Sequence, residues 1–267
     1  MPDPSEFRTR KYTQRSFGFV QLKGSHNSYE RGRLETQLRF NKKKPWWYGC
    51  RALEFDLHEG EGGFEWSVKH WSHDPDADFA RYLATLKDWS DARSRHDVIF
   101  VTLDLKHLQS SLNDFPDVID EYLDRVFGSA RLVRPAEVHK DDAAFWPTLL
   151  DLRDRFIFCL SGESEYKLHY AHQPDRLCFA DWDLGPSSQH NADWDADPRV
   201  IVNCNSGHWL NQIHGPRTPP GYVTRAWGCE SQEQWNHLYG LGFSMVSMDH
   251  LRSRWGVLPS KVAFSPK

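Results

Sequence analysis

The sequence predicts an α/β protein built as a single distorted (β/α)8 TIM barrel, with a β-hairpin excursion after the second strand. Three observations carry that expectation. Short apolar runs alternate with helix-like segments, the pattern of a mainly parallel sheet. About eight such runs fall within 267 residues, a length that suits one closed barrel occupying 1–267 as a single domain. One segment breaks the alternation, because two extended runs are joined by too few residues for a parallel crossover.

In chain order, strands are predicted at Phe17–Leu22, Arg51–Leu57, Val98–Leu105, Arg155–Leu160, Leu177–Ala180, Val200–Asn203 and Phe243–Met248, with a weaker candidate at Tyr222–Ala226. Helix-like pieces are predicted at Asp76–Arg93, Phe115–Phe127 and Asp142–Asp154. The hairpin lies in "RALEFDLHEGEGGFEWSVKH", where a Gly-rich turn at Glu59–Gly63 sends the second run back along the first. A turn centred near Gly62 returns His70 beside Glu54 on the same face, and a slip of one residue turns it to the other face.

Composition narrows the function classes. The net charge is −4, so no global basic field points to nucleic acid. The start "MPDPSEFRTRKYTQRS" has no apolar signal-peptide core, and no run of 18 apolar residues occurs. Five scattered cysteines, Cys50, Cys159, Cys178, Cys204 and Cys229, fit neither a disulfide framework nor a zinc site and read as small buried hydrophobes. Together these features predict a cytoplasmic protein, with secretion after removal of a leader as the alternative. Most of the twelve tryptophans read as core. Trp46 and Trp47 read as packing residues and Lys42–Lys44 as a solvated loop.

In a parallel barrel the functional site lies at the C-terminal strand ends. His26 and Asn27 follow the first strand. Glu54 and Asp56, two apart on the second, face the same side, and so do Asp104 and Lys106 at the end of "VIFVTLDLK". Asp249 follows "FSMVSM". Taken singly, each has an ordinary explanation as a cap, an ion pair or a half-exposed strand residue. Together they bring four carboxylates, an amide and a histidine to one barrel mouth, where the carboxylates repel one another unless a cation or other partners offset them. Asn27, Glu54, Asp56 and Asp104 are hard oxygen donors, a set suited to Ca²⁺ or Mg²⁺ rather than Zn²⁺.

The stretches "GSHNSY", "GCRALEFDLHEG", "VKH" and "VIFVTLDLK" resemble the catalytic half of phosphatidylinositol-specific phospholipase C enzymes, and in particular their calcium-dependent bacterial and fungal branch. The likeness is specific from about Val20 to Lys106 and continues more weakly through "FWPTLLDLRDRFIFCL" and "VSMD". It implies a distorted barrel that cleaves a lipid phosphodiester. By this resemblance His26 and His70 are the catalytic histidines, and Asn27, Glu54, Asp56 and Asp104 are calcium ligands. Lys106 matches a lysine that could bind phosphate, and Arg225, in "VTRAW", matches one arginine of an "R-T-R-A-D"-like stretch and is a second candidate phosphate contact. Val223 and Trp227 stand where that stretch has arginine and aspartate, which leaves the inositol headgroup open. Trp71 takes the place of a small residue after the second histidine, and His73 is near enough to compete with His70.

The implied reaction is intramolecular attack by the inositol 2-hydroxyl, giving a cyclic phosphodiester and a released alcohol such as diacylglycerol. His26 acts near the attacking hydroxyl, His70 is the general acid, and Asp249 contacts substrate or orients a histidine. Trp71, Trp182, Trp209 and Trp227 are candidates for lining the mouth. The expected partners are a phospholipid or soluble phosphodiester substrate and a transient membrane surface, with no nucleic acid. The alternatives are a glycerophosphodiester phosphodiesterase or sphingomyelinase-D-like enzyme, and a non-catalytic barrel that binds a phosphorylated headgroup.

Overall fold

The computed structural model describes residues 14–40, 49–60, 65–71, 77–139, 145–187, 193–194 and 196–252. Ten strands form one sheet: β1 (Leu22–Ser25), β2 (Ala52–Glu59), β3 (Trp66–Val68), β4 (Ala77–Asp78), β5 (Ile99–His107), β6 (Phe156–Gly162), β7 (Phe179–Asp183), β8 (Ile201–Asn205), β9 (Val223–Cys229) and β10 (Met245–Met248). Eight of them run parallel in the order β1-β10-β9-β8-β7-β6-β5-β2, and the pairing Gly24↔Ala52 joins β2 back to β1. The result is a closed barrel with helices between strands. The main described helices are α1 (Leu34–Leu38), α2 (Phe79–Asp91), α3 (Phe115–Phe127), α4 (Ser164–Ala171) and α5 (Gln232–Gly240).

Closure depends on a small residue. A Cβ on Gly24 would sit against Ser247 Oγ and 3.0 Å from Ser247 Cα, so only glycine lets β1 lie this close to β10. The core is continuous, with Phe55, Phe79, Phe100, Phe115, Phe156 and Phe158 all fully buried. In α2, Phe79, Leu83, Leu86 and Trp89 recur at helical spacing and are buried, while Asp78 caps the helix by accepting from the Ala80 amide at 2.9 Å.

The first predicted strand is misplaced. Phe17–Phe19 is a 3-10 turn, and the strand begins at Leu22. Phe17 is buried against Trp146, with ring centroids 5.1 Å apart, and its amide donates to the Pro147 carbonyl. The apolar run therefore packs against Trp146, and the less apolar "LKGS" pairs with β10. The predicted helix at Asp142–Asp154 is also corrected. Its described part, 145–154, consists of turns, with Phe145 and Asp154 at positive φ, and residues 142–144 lie outside the described residues. Helices α1, α4 and α5 were not predicted. α4 is only eight residues long, and its apolar positions form no clear stripe.

The hairpin is present, with β3 antiparallel to β2 and β4 antiparallel to β3. Its register is Leu57↔Val68 and Glu59↔Trp66, so the turn centres half a residue beyond Gly62. His70 therefore falls level with Phe55 rather than Glu54. The Lys69 N–H still donates to the Asp56 carbonyl at 3.3 Å, and the His70 ring just beyond meets the Asp56 side chain. Part of the turn, 61–64, lies outside the described residues, as do Lys42–Lys44, Trp46, Trp47 and His73.

Candidate active site

The site is built at the C-terminal ends of β1, β2, β5, β9 and β10. The chain leaves β1 sharply. Asn27 adopts the left-handed conformation, with φ 46° and ψ 60°, which asparagine tolerates better than most residues. This turn seats His26 on one side and the Asn27 amide on the other. The amide N–H donates to Glu54 Oε2 at 3.2 Å.

His26 is held from several directions. Its backbone N–H donates to the Met248 carbonyl, its Nδ1 lies 2.9 Å from Asp249 Oδ1, and its ring stacks on Trp227 at 5.5 Å. Because a carboxylate only accepts, Nδ1 carries the proton and Nε2 is presented to the mouth, 3.8 Å from Glu54 Oε2. Arg31 braces the pair, donating to Asp249 Oδ1 at 2.6 Å and to the His26 carbonyl at 3.1 Å. Burial works against a charged His26 ring. The Asp249 hydrogen bond, with the Glu54 and Asp249 charges, outweighs it and holds the ring's pKa above its ordinary value. Burial likewise works against a charged Asp249, but His26 and Arg31 hold its carboxyl below the usual range.

His70 arrives from the hairpin. Its Nδ1 is 3.0 Å from Asp56 Oδ2 and donates to it, so the Asn27 Nδ2 amide, itself a donor 3.3 Å away, makes no hydrogen bond to that nitrogen in this tautomer. Both histidines thus have an aspartate on Nδ1, which fixes the tautomer and frees Nε2 for chemistry. Trp71 packs edge-on against His70 at 4.6 Å and is 60% exposed.

Glu54, Asp56 and Asp104 offer carboxylate oxygens within 4.8 Å of one another. Burial, with the Asp104 and Glu54 charges, raises Asp56 to about 6 against the opposing Lys106 charge. Burial also raises Asp104. Glu54 behaves differently. Burial works to raise it, but the Arg225 and His26 charges hold it below the ordinary range. Three converging acidic oxygen donors fit a hard divalent ion, and Asn27 lies beside them.

The remaining predicted residues divide. Lys106 is one-third exposed at the mouth, with Nζ 2.6 Å from Asp104 Oδ2 and 3.8 Å from Asp56 Oδ2. Arg225 lies inside the barrel, only 1% exposed. Its NH2 is 2.7 Å from Glu54 Oε2, and its other nitrogens donate to Asn203 Oδ1 and Ser247 Oγ. It reaches the mouth through Glu54, not as an exposed phosphate contact. Asp249 meets His26 and Arg31 and also borders the cleft beside His26. Among the candidate lining tryptophans, Trp227 borders a cleft of about 500 Å³ beside His26, together with Arg31, Asn205, Glu230 and Gln234. Trp209 is instead fully buried against Phe243. Arg31 and Asn203 were missed by sequence reasoning. A lone arginine in "YERGR" and an asparagine in "IVNCN" carry no signal until the fold brings them to Asp249 and Arg225.

No protein-family model matches the sequence, and no curated protein matches it significantly. Solved structures do match. The fold resembles a calcium-dependent phosphoinositol-specific phospholipase C from a Gram-negative bacterium, Pseudomonas sp., with a TM-score of 0.73 at 17% identity over 97% of this chain and 98% of that one. It also resembles a Ca²⁺-dependent phosphatidylinositol-specific phospholipase C from Streptomyces antibioticus, with a TM-score of 0.67 at 17% identity over 91% and 98%. A glycerophosphodiester phosphodiesterase from Parabacteroides distasonis matches less well, with a TM-score of 0.52 at 10% identity over 90% and 96%. The chain therefore has the barrel fold of the phospholipase C enzymes along nearly its whole length.

Proposed function

We propose that the protein is a calcium-dependent phosphodiesterase that cleaves an inositol-type phospholipid or a related phosphodiester. The reaction is intramolecular, giving a cyclic phosphodiester and a released alcohol such as diacylglycerol. The observation that carries this reading is the pair of histidines, each held on Nδ1 by its own aspartate and facing one acidic cluster. The phospholipase C-like barrel supports it.

In this reading His26 Nε2 takes the proton of the attacking hydroxyl, while Asp249 stabilises the imidazolium that forms. His70 Nε2 delivers a proton to the leaving oxygen, with Asp56 holding the ring in place. Glu54, Asp56, Asp104 and Asn27 would hold Ca²⁺. When bound, the ion supplies charge stabilisation at the phosphoryl oxygens and lowers the pKa of the hydroxyl. Arg225 keeps Glu54 ionised and aimed. Lys106 supplies positive charge for the phosphate.

The same reading includes transient contact with a lipid surface. It is supported by Trp71, which is 60% exposed and packs on the catalytic candidate His70. Trp71→Ala should lower turnover of vesicle-borne lipid and spare a soluble phosphodiester. Equal loss on both substrates would count against surface contact.

The catalytic scheme is tested by assaying His26→Ala and His70→Ala on phosphatidylinositol with calcium. Each should lose about 10²–10⁴-fold in kcat. Undiminished turnover in both variants would sink the two-histidine scheme.

A further inference from the structure

We propose that Lys106 is a built-in counter-cation of the carboxylate cluster, which a divalent ion must displace in order to bind. This inference rests on the calcium reading above. The Lys106 ammonium is 2.6 Å from Asp104 and 3.8 Å from Asp56, two of the three carboxylates whose oxygens converge within 4.8 Å. Among the described residues these are its ion-pair partners. The third carboxylate, Glu54, is paired with Arg225. The cluster's three carboxylates are thus offset in part by two cations of its own chain.

The two cations differ in freedom. Arg225 is fixed inside the barrel, with Asn203 and Ser247 holding its other nitrogens. The Lys106 side chain is 33% exposed, near the end of β5, and carries its charge on a flexible four-carbon stem. An ion seated among the carboxylate oxygens would lie a few ångströms from that ammonium, and like charges at such a distance repel strongly. Asp104 Oδ2 also faces a choice, because it already receives the Lys106 N–H. The ammonium therefore swings out when the ion enters. Its new position is the open mouth, where a phosphate arrives. Ion binding and the readiness of the phosphate contact are one event.

The consequence is measurable without catalysis. Apparent calcium affinity is reduced by the fraction of molecules whose Lys106 occupies the cluster. Calcium is titrated calorimetrically into chelator-treated wild type, Lys106→Met and Lys106→Gln, and Tm is read with chelator and with saturating calcium. Both variants should bind calcium about tenfold more tightly than wild type, as expected when a competitor is removed. They should also show a lower Tm in chelator and a larger calcium-induced rise. Calcium binding by the variants alone would support the proposal equally. Wild type that binds calcium, with variants that bind no more tightly, would overturn the role of Lys106 and leave the calcium reading standing. No calcium binding by any of the three would overturn both.

Discussion

At the residue scale, the site is a set of paired charges whose partners decide its behaviour. His26 and Asp249 shift each other's pKa in opposite directions because each stabilises the other's charged form. A second histidine shows the reverse case. His96 is fully buried, with Nδ1 on the Asp97 carbonyl at 2.7 Å and Asp154 3.8 Å away. Burial, with Arg51 and Arg131 nearby, pushes its pKa below the ordinary value despite that hydrogen bond and the Asp154 charge. A ring that resists protonation when folded binds its proton first in the unfolded chain. Its contribution to stability is present above pH ~6.5 and is lost as pH falls below it, at up to about 1.4 kcal/mol per pH unit. Denaturant titrations from pH 7.5 to 5 should show this slope, and His96→Gln should flatten it. An unchanged slope in the variant would assign the acid sensitivity elsewhere. His26, Asn27, Glu54, Asp56, Asp104 and Asp249 were legible in the sequence because strand-end position and period-2 spacing place them together. Arg225 was legible as a residue but not in its direction, since an inward arginine looks the same in sequence as an outward one.

At the element scale, strand ends set the positions of the acidic groups. β5 and β6 pair Asp104↔Ser161 and Leu105↔Gly162. Gly162 has φ +79°, and a Cβ there would press on the Leu105 carbonyl and Asp104 Oδ1. Glycine thus permits both the turn into α4 and the seating of Asp104. Gly162→Ala should destabilise the fold by about 1–3 kcal/mol and, by displacing Asp104, weaken the proposed calcium binding. Chemical denaturation with a stability equal to wild type would refute the first effect. The long strands β2 and β5 and helices α2 and α3 were readable because their apolar periodicity is sustained. β1 was misread because its composition is polar and small while the apolar "FGFV" lies just before it. The hairpin was readable from its short Gly-rich turn. Its register was not, because a turn longer than two residues, though too short for a parallel crossover, does not fix the pairing to within one position.

At the scale of the whole molecule, closing the barrel completes the site. The residue after β1 is His26, and the residue after β10 is Asp249, so the first histidine dyad exists only when the first and last strands pair. That seam is held by Tyr239, whose hydroxyl donates to the Leu22 carbonyl at 2.5 Å, and by Gln21, which donates to the Phe243 carbonyl at 3.1 Å. The second dyad comes from the hairpin. Two dyads from distant parts of the chain, converging on one acidic cluster, form the arrangement proposed to cleave a phosphodiester internally. The most direct test is ³¹P NMR of phosphatidylinositol incubated with the protein and calcium. The account predicts that a cyclic inositol phosphodiester appears first and that any open-chain phosphate forms later. Open-chain phosphate from the outset with no cyclic species, or release of free inositol with phosphatidic acid, would contradict it.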